Sequence, residues 1–150
     1  MQLPEHPESP WSLHRAIIEQ AEDAIIFIDP NGIIGLWNRG AEIIFGYAAS
    51  EVLGHSVDVI IPERFRKAHA EGFHKAVMRG ATRHPGRVLT TRACHKFVSH
   101  LYVDMSFGML KDEAGVVLGA FAIARDCTTR HLESMARKAK GTEQAQPSLH

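Results

Sequence analysis

His69 combines the residue type and setting best suited to chemistry in this chain. It lies between Ala68 and Gly72 in a stretch, Glu63 to Arg79, where Phe65, Ala68, Gly72, Phe73, Ala76 and Val77 fall at steps of three and four. That spacing marks a helix with one apolar face. His69 falls near the middle of the apolar stripe, while His74, five residues on, is turned toward the opposite face. A neutral imidazole so placed offers a nitrogen lone pair to a metal; a histidine that is merely packed hydrogen-bonds to a backbone carbonyl instead. On the residues alone both readings are open. Ala68, Ala70 and Gly72 are small and leave room beside the helix for a ligand.

Little else in the 150 residues competes for a chemical role. The ten histidines are scattered, and no Ser/His/Asp order, phosphate-cradling glycine loop or carboxylate pair stands out, so the chain is expected not to be an enzyme. Cys94 and Cys127 lack any CxxC or Cys/His spacing and are expected to be ordinary buried or half-buried thiols. Seventeen basic residues balance seventeen acidic ones, which removes any general pull toward nucleic acid or an anionic membrane. The longest nearly apolar run, Ala114 to Ala124, is broken by glycines and falls far short of the roughly 20 residues of a bilayer span. The N-terminus, MQLPEHPESPW, has acids and prolines where a secretory signal has a basic start and an apolar stretch, so a cytoplasmic location is expected.

The elements that must position His69 follow from periodicity and turn residues. Met1 to Pro10 read as a flexible arm, followed by a helix from about Trp11 with Leu13, Ile17 and Ala21 on one stripe. Ala24 to Asp29 and Ile33 to Trp37 read as a hairpin whose Asn31-Gly32 step supplies positive φ angles. Gly40, Gly46 and Gly54 divide Asn38 to Pro62 into brief helical pieces. The helix Glu63 to Arg79 ends at Gly80, and strands are predicted over Arg87–His95, Ser99–Leu110 and Val116–Arg125. In the second of these Leu101, Val103, Met105, Phe107 and Met109 alternate with mostly polar residues, so one face points into a core. Past Asp126 a narrow seam of Leu132, Met135, Ala136 and Ala139 predicts a helix able to meet a second copy, and the last ten residues read as a disordered tail. The order ββ, helices, βββ predicts an α+β fold: a five-stranded antiparallel sheet with helices packed on one face, plus flanking N- and C-terminal helices.

The strand and turn AIIFIDPNG, the segment WNRGAEIIFGY, the EVLG step, Ile61-Pro62-Glu63 and the exit sequence Arg125-Asp126-Cys127-Thr128, in that order, resemble a PAS domain. The match covers about Trp11 to Thr128. The resemblance implies a sensor domain over residues 11–128, an arm at 1–10, and a helical signalling extension with its tail at 129–150. PERFRKAHAEGF is similar to the helix of oxygen- and gas-sensing haem PAS domains, in which a histidine at this place is the proximal ligand. Carried over, that ligand is His69 and the cofactor is haem b. The resemblance does not extend to the LOV flavin photoreceptors, since His55-Ser56-Val57-Asp58-Val59 stands where their reactive Asn-Cys-Arg-Phe segment would be.

What the resemblance implies for the remaining site residues is equally specific. Phe73 shares the His69 face, and Met105 and Phe107 would line the pocket from the facing strand. Counting from His69 puts Arg87 where one group of haem PAS sensors has a methionine ligand, and Leu89 where an arginine commonly holds oxygen. This chain matches neither pattern. Arg87 would either swing in to donate to a bound gas or remain solvated. The function implied is detection of a diatomic gas (O2, CO or NO) or of redox state, signalled through the flanking helices of a homodimer to an unknown effector, with no direct nucleic-acid or membrane partner. The rivals are a PAS domain for another small ligand or a flavin, and a ligand-free PAS dimerisation module.

Overall fold

The computed structural model describes residues 10–145. Helix α1 (Pro10–Gln20) leads into β1 (Ala24–Ile28) and β2 (Ile34–Trp37); α2 (Arg39–Phe45), α3 (Ala49–Val52) and a short 3-10 turn (Val57–Ile60) connect to α4 (Glu63–Arg79). Then come β3 (Leu89–Ala93), β4 (Leu101–Lys111), β5 (Val117–Asp126) and α5 (Thr128–Ala145). The strands form one antiparallel sheet in the order β2-β1-β5-β4-β3, the α+β arrangement that the element order predicts. Among the described residues no helix is long and apolar enough to cross a membrane.

The core runs along one face of all five strands, from Ile34 and Trp37 of β2 to Val103 and Met105 of β4 and Ala93 of β3, and is densest under α2. Ile26, Ile34 and Trp37 of β1 and β2 pack with Ala41, Ile44 and Phe45 of α2 and with Val52, Val57 and Ile60, all buried. Its polar hub is Asn38, only 4% exposed. The Asn38 Oδ1 accepts from the amides of Ile25 (2.8 Å) and Ala41 (2.9 Å), capping α2, while Nδ2 donates to the carbonyls of Ile18 (2.8 Å) and Asp23 (3.0 Å). One side chain thereby satisfies the backbone of α1, β1 and α2 at once.

Some boundaries differ from the sequence expectation for physical reasons. In the first hairpin only Gly32 has a positive φ (79°), because the Asp29 carboxylate fixes the turn by accepting from the amides of Asn31 (2.9 Å) and Ile33 (3.0 Å). Asn31 therefore keeps a negative φ, contrary to a two-residue turn with both angles positive. Strand β3 stops at Ala93 rather than His95: the Cys94 amide donates to the Ile60 carbonyl, and His95 Nδ1 accepts from the amides of Phe97 and Val98, turning the chain away. It also begins two residues later than expected, leaving Arg87 in the preceding loop. The final helix runs through Gly141 to Ala145, into the stretch read as tail, and the rest of that stretch and nearly all of the N-terminal arm lie outside the described residues.

Because Asn38 is buried and fully engaged, removing it orphans backbone donors and acceptors on three elements. Asn38→Ala should lower stability by about 2–4 kcal/mol, read as an earlier urea midpoint at unchanged slope. A loss under 1 kcal/mol would contradict its role as the hub.

Candidate functional site

The sheet face that looks toward α4 is built from alternate residues of each strand. On β5 these are Ala120, Ala122 and Ala124, which stand opposite Ile28, Ile26 and Ala24 of β1 and opposite Met109, Phe107 and Met105 of β4. The middle strand thus presents three methyl groups where its other face carries Phe121 and Ile123. Above this shallow floor runs α4, a 17-residue helix with no buried residue. Its N-terminal end is tied by Arg66, whose Nε donates to the Ile61 carbonyl at 3.0 Å. Its C-terminal end closes at Gly80, φ 73°, whose amide donates to Ala76 and Val77.

Between floor and helix lie two adjoining hollows. One, of about 410 Å³, is walled by Ile26, Ile28, Phe65, Met105 and Ala122 among others. The second, of about 470 Å³, lies toward Leu89, Met109 and Arg83. Ala68, His69, Phe73, Phe107 and Ala120 line both, so they act as two lobes of one cleft under α4. Each volume is in the range of small-molecule and cofactor pockets, about 300–1,000 Å³.

His69 sits at the junction of the lobes. It is half-buried, and its ring lies nearly parallel to that of Phe73 (8°, centroids 6.2 Å apart). Burial pushes its pKa down from the usual 6.5, against the smaller opposing pull of Asp58, which favours the neutral, lone-pair-bearing form. Its ring nitrogens make no hydrogen bond to any described residue. The expected fate of a packed histidine, donation to a backbone carbonyl, is therefore not the arrangement found. His74 is exposed, as its helical offset requires.

Five of the six residues singled out from sequence converge on the cleft. His69, Phe73 and Phe107 line both lobes, buried Met105 the first and Leu89 the second. Phe107 is 38% exposed rather than packed, because its ring faces open space. The sixth, Arg87, is exposed in the loop before β3 and is not among the residues lining either lobe. Cys94 lines a polar cleft with Arg64, Arg92 and His95 that adjoins the first lobe at Pro62, Arg92 and Ala93. Of the other flanking cations, Arg64 lies over the Phe65 ring at 4.6 Å, whereas Arg83 reaches the second lobe.

Sequence reasoning missed the floor and the rim. The alternation Ala120-Phe121-Ala122-Ile123-Ala124 is a visible signal of small residues on one face, but the sign of the pleat was not fixed. Lys75, Arg79, Arg83 and His84 line the second lobe with no carboxylate beside them, so its rim favours anions. Among the described residues no three or more of His, Cys, Asp or Glu are grouped so as to hold a metal ion.

A larger side chain on the floor should find space. Ala122→Leu is expected to stabilise the protein without added ligand by about 1 kcal/mol, seen as a later urea midpoint. Destabilisation would mean that the cleft has no room to accept it.

A family model described as the PAS fold matches residues 12–127. The sensor protein FixL of Bradyrhizobium diazoefficiens is 40% identical over 55 residues, 37% of this chain and 11% of that protein. The oxygen sensor protein DosP of Escherichia coli is 35% identical over 54 residues, 36% of this chain and 7% of that protein. The chain thus spans about a tenth or less of these relatives. Among solved structures, a PAS domain from Colwellia psychrerythraea superposes with a TM-score of 0.69 at 22% identity, covering 81% of this chain and 99% of that one. The PAS domain of BvgS from Bordetella pertussis does so with a TM-score of 0.63 at 19% identity, covering 91% and 98%. At these identities the structures establish the fold alone. With most of its length matched to the family model and the five-stranded architecture in place, the chain belongs to the PAS family of sensory and regulatory modules, which carry out no catalytic turnover of their own.

Proposed function

We propose that this PAS domain binds haem b in the cleft under α4, with His69 as the protein ligand to iron, and reports a diatomic gas or the redox state of the iron. The observation that carries the reading is His69: half-buried, biased toward the neutral form and without a hydrogen-bond partner, between two largely apolar lobes. Haem, when bound, supplies an iron that takes a diatomic gas and changes oxidation state. With no metal-ligand cluster among the described residues, such an iron relies on the porphyrin for its other ligands.

The chain's own residues fit that group. The methyl floor of Ala120 and Ala122 leaves the space, and Phe73, Met105 and Phe107 supply apolar walls. Lys75, Arg83 and His84 at the rim suit the two propionates. Leu89 gives the second lobe an apolar wall and Arg87 stands outside it, a setting that favours carbon monoxide and nitric oxide relative to oxygen, which relies most on a polar donor. The names of the relatives, a sensor protein and an oxygen sensor protein, support a sensory role over the matched segment.

In this proposal residues 11–128 are the sensor unit and 129–150 the signalling extension of a cytoplasmic protein. Exposed Leu13, Ile17, Leu132 and Met135 would join the flanking helices of a homodimer and pass the signal to an effector.

Hemin titration of the purified protein tests the reading. A Soret band that shifts on reduction and on adding carbon monoxide is expected, and His69→Ala should abolish it or weaken uptake more than tenfold, while His74→Ala leaves it unchanged. A protein that stays colourless with excess hemin refutes the proposal.

The pH dependence has a definite sign. Ligation needs the neutral imidazole, and burial sets the folded pKa below 6.5, so hemin uptake should hold as pH falls through 6.5 and decline only below it. Loss of uptake beginning above pH 6.5 would contradict the desolvated setting of His69. Separately, Arg83→Gln is expected to weaken hemin about three- to tenfold but to leave uptake of the dimethyl ester unchanged, by loss of a charge-assisted contact.

A further inference from the structure

The outer face of the sheet directly behind the cleft carries a polar pair joined to the C-terminal helix. Thr90 of β3 stands opposite Asp104 of β4, and its hydroxyl donates to Asp104 Oδ1 at 2.6 Å. The Arg130 guanidinium, in the first turn of α5, donates to the other oxygen, Oδ2. Both members of the pair are flanked in sequence by residues of the inner face. Leu89 and Thr91, on either side of Thr90, line the two lobes; Met105, next to Asp104, lines the first, and Val103, on its other side, is buried. Strand alternation therefore puts the cleft wall and this cluster back to back on the same two strands.

Among the described residues, the contacts of helix α5 with the sheet fall in its first turn and the residue before it. The Cys127 amide donates to the Tyr102 carbonyl (2.9 Å), the Tyr102 amide donates to Thr128 Oγ1 (3.0 Å), and the Tyr102 ring lies 4.3 Å from that of His131. Those contacts all centre on one residue of β4 and form a pivot. The Arg130–Asp104 pair is the second attachment, two residues further along the sheet, and beyond Ser134 the helix is exposed through residue 142. A rod fixed at a pivot has its direction set by the next contact. The Thr90 hydroxyl first, then the Cys127 thiol and Arg130, hold the Asp104 carboxyl below the usual carboxylate range against the smaller effect of burial, so it is charged and accepts from Thr90 and Arg130.

We propose that Asp104, held between Thr90 and Arg130, is the relay by which filling of the cleft sets the direction of α5. A body in the cleft displaces the Leu89–Thr91 and Val103–Met105 segments relative to each other. Because the Thr90–Asp104 pair spans the same two strands, its geometry changes with them, and Arg130 carries the change to the helix. The inference rests on the reading of the cleft as the ligand site. An exposed ion pair is weak, so its role is to bias one orientation over another rather than to hold the helix on.

Amide hydrogen exchange over residues 129–136 of the full chain tests the relay, read as the ratio of rates with the cleft filled and empty. The first arm needs no ligand: Ala122→Leu fills the cleft with a side chain. It should change exchange in α5 about threefold in the otherwise native protein, and leave it unchanged alongside Asp104→Asn or Thr90→Val. Thr90→Val keeps the shape of the strand face, so it serves even where Asp104→Asn folds poorly. The second arm repeats the comparison with and without hemin. A response of equal size in all backgrounds, or no response to Ala122→Leu in the native background, overturns the relay. Failure of hemin to bind overturns the haem reading and leaves the first arm to decide the relay.

Discussion

A helix of seventeen residues, none of them more than half-buried, is the constraint on which the site depends. Amphipathic helices are normally held by the burial of their apolar face. Here Phe65 and Ala68 stay exposed over the cleft, Phe73 alone of the apolar stripe packs against the core, and Arg66 ties the first turn to the Ile61 carbonyl. The cause lies in β5, whose inner face has only alanines at 120, 122 and 124 and cannot reach the helix. The apolar surface that stays exposed in the cleft, on Phe65, Leu89 and Phe107, is worth about 25 cal/mol for each Å² that a ligand covers, so the unfilled contact is itself the driving force for binding.

That hydrophobic gain does not select a ligand; the polar groups do. Within the cleft the imidazole of His69 is biased toward neutrality by burial and has no internal partner, while the cations sit at the rim where water reaches them. A ligand matched to this distribution is broad and apolar, carries a site for a nitrogen donor at its middle, and has anionic groups at one edge. A bare metal ion does not match it, since His69 has no companion ligands. A purely apolar molecule would leave the lone pair and the rim cations unused.

The element order, the bounds of α4 and the opposed faces of His69 and His74 were legible in the sequence, because helical periodicity and a terminal glycine determine them locally. The Asn38 hub was not, since its partners at Ile18, Asp23 and Ile25 are brought to it only by the fold. The two readings of Arg87 could not be separated in the sequence for a similar reason: a count from His69 does not show where the loop ends, and the strand starts only at Leu89, which leaves Arg87 exposed in the loop before it. Phe107 was legible as inward but not as unpacked, because inwardness is a property of alternation and packing depends on what faces it. The hollow arises from residues that are small, and small residues carry almost no periodic signal.

Output from such a domain has to cross the sheet, and strand alternation supplies the route. Each residue of the cleft wall has neighbours in sequence on the outer face, so a displacement of one face moves the other within the same strand. β3, like β2, is an edge strand paired on one side only, and of the two it is the one whose residues line the cleft. Its pairing to β4 runs through Leu89, Thr91 and Ala93 on the cleft side and through Thr90 and Arg92 on the other, with Arg92 half-buried and also reaching the first lobe. Of these, Thr90 alone shares an acceptor with α5, through Asp104. The contact between sensor and lever is therefore small, partly exposed and weak, which suits a switch: a stronger attachment would hold α5 in one direction whatever the cleft contains.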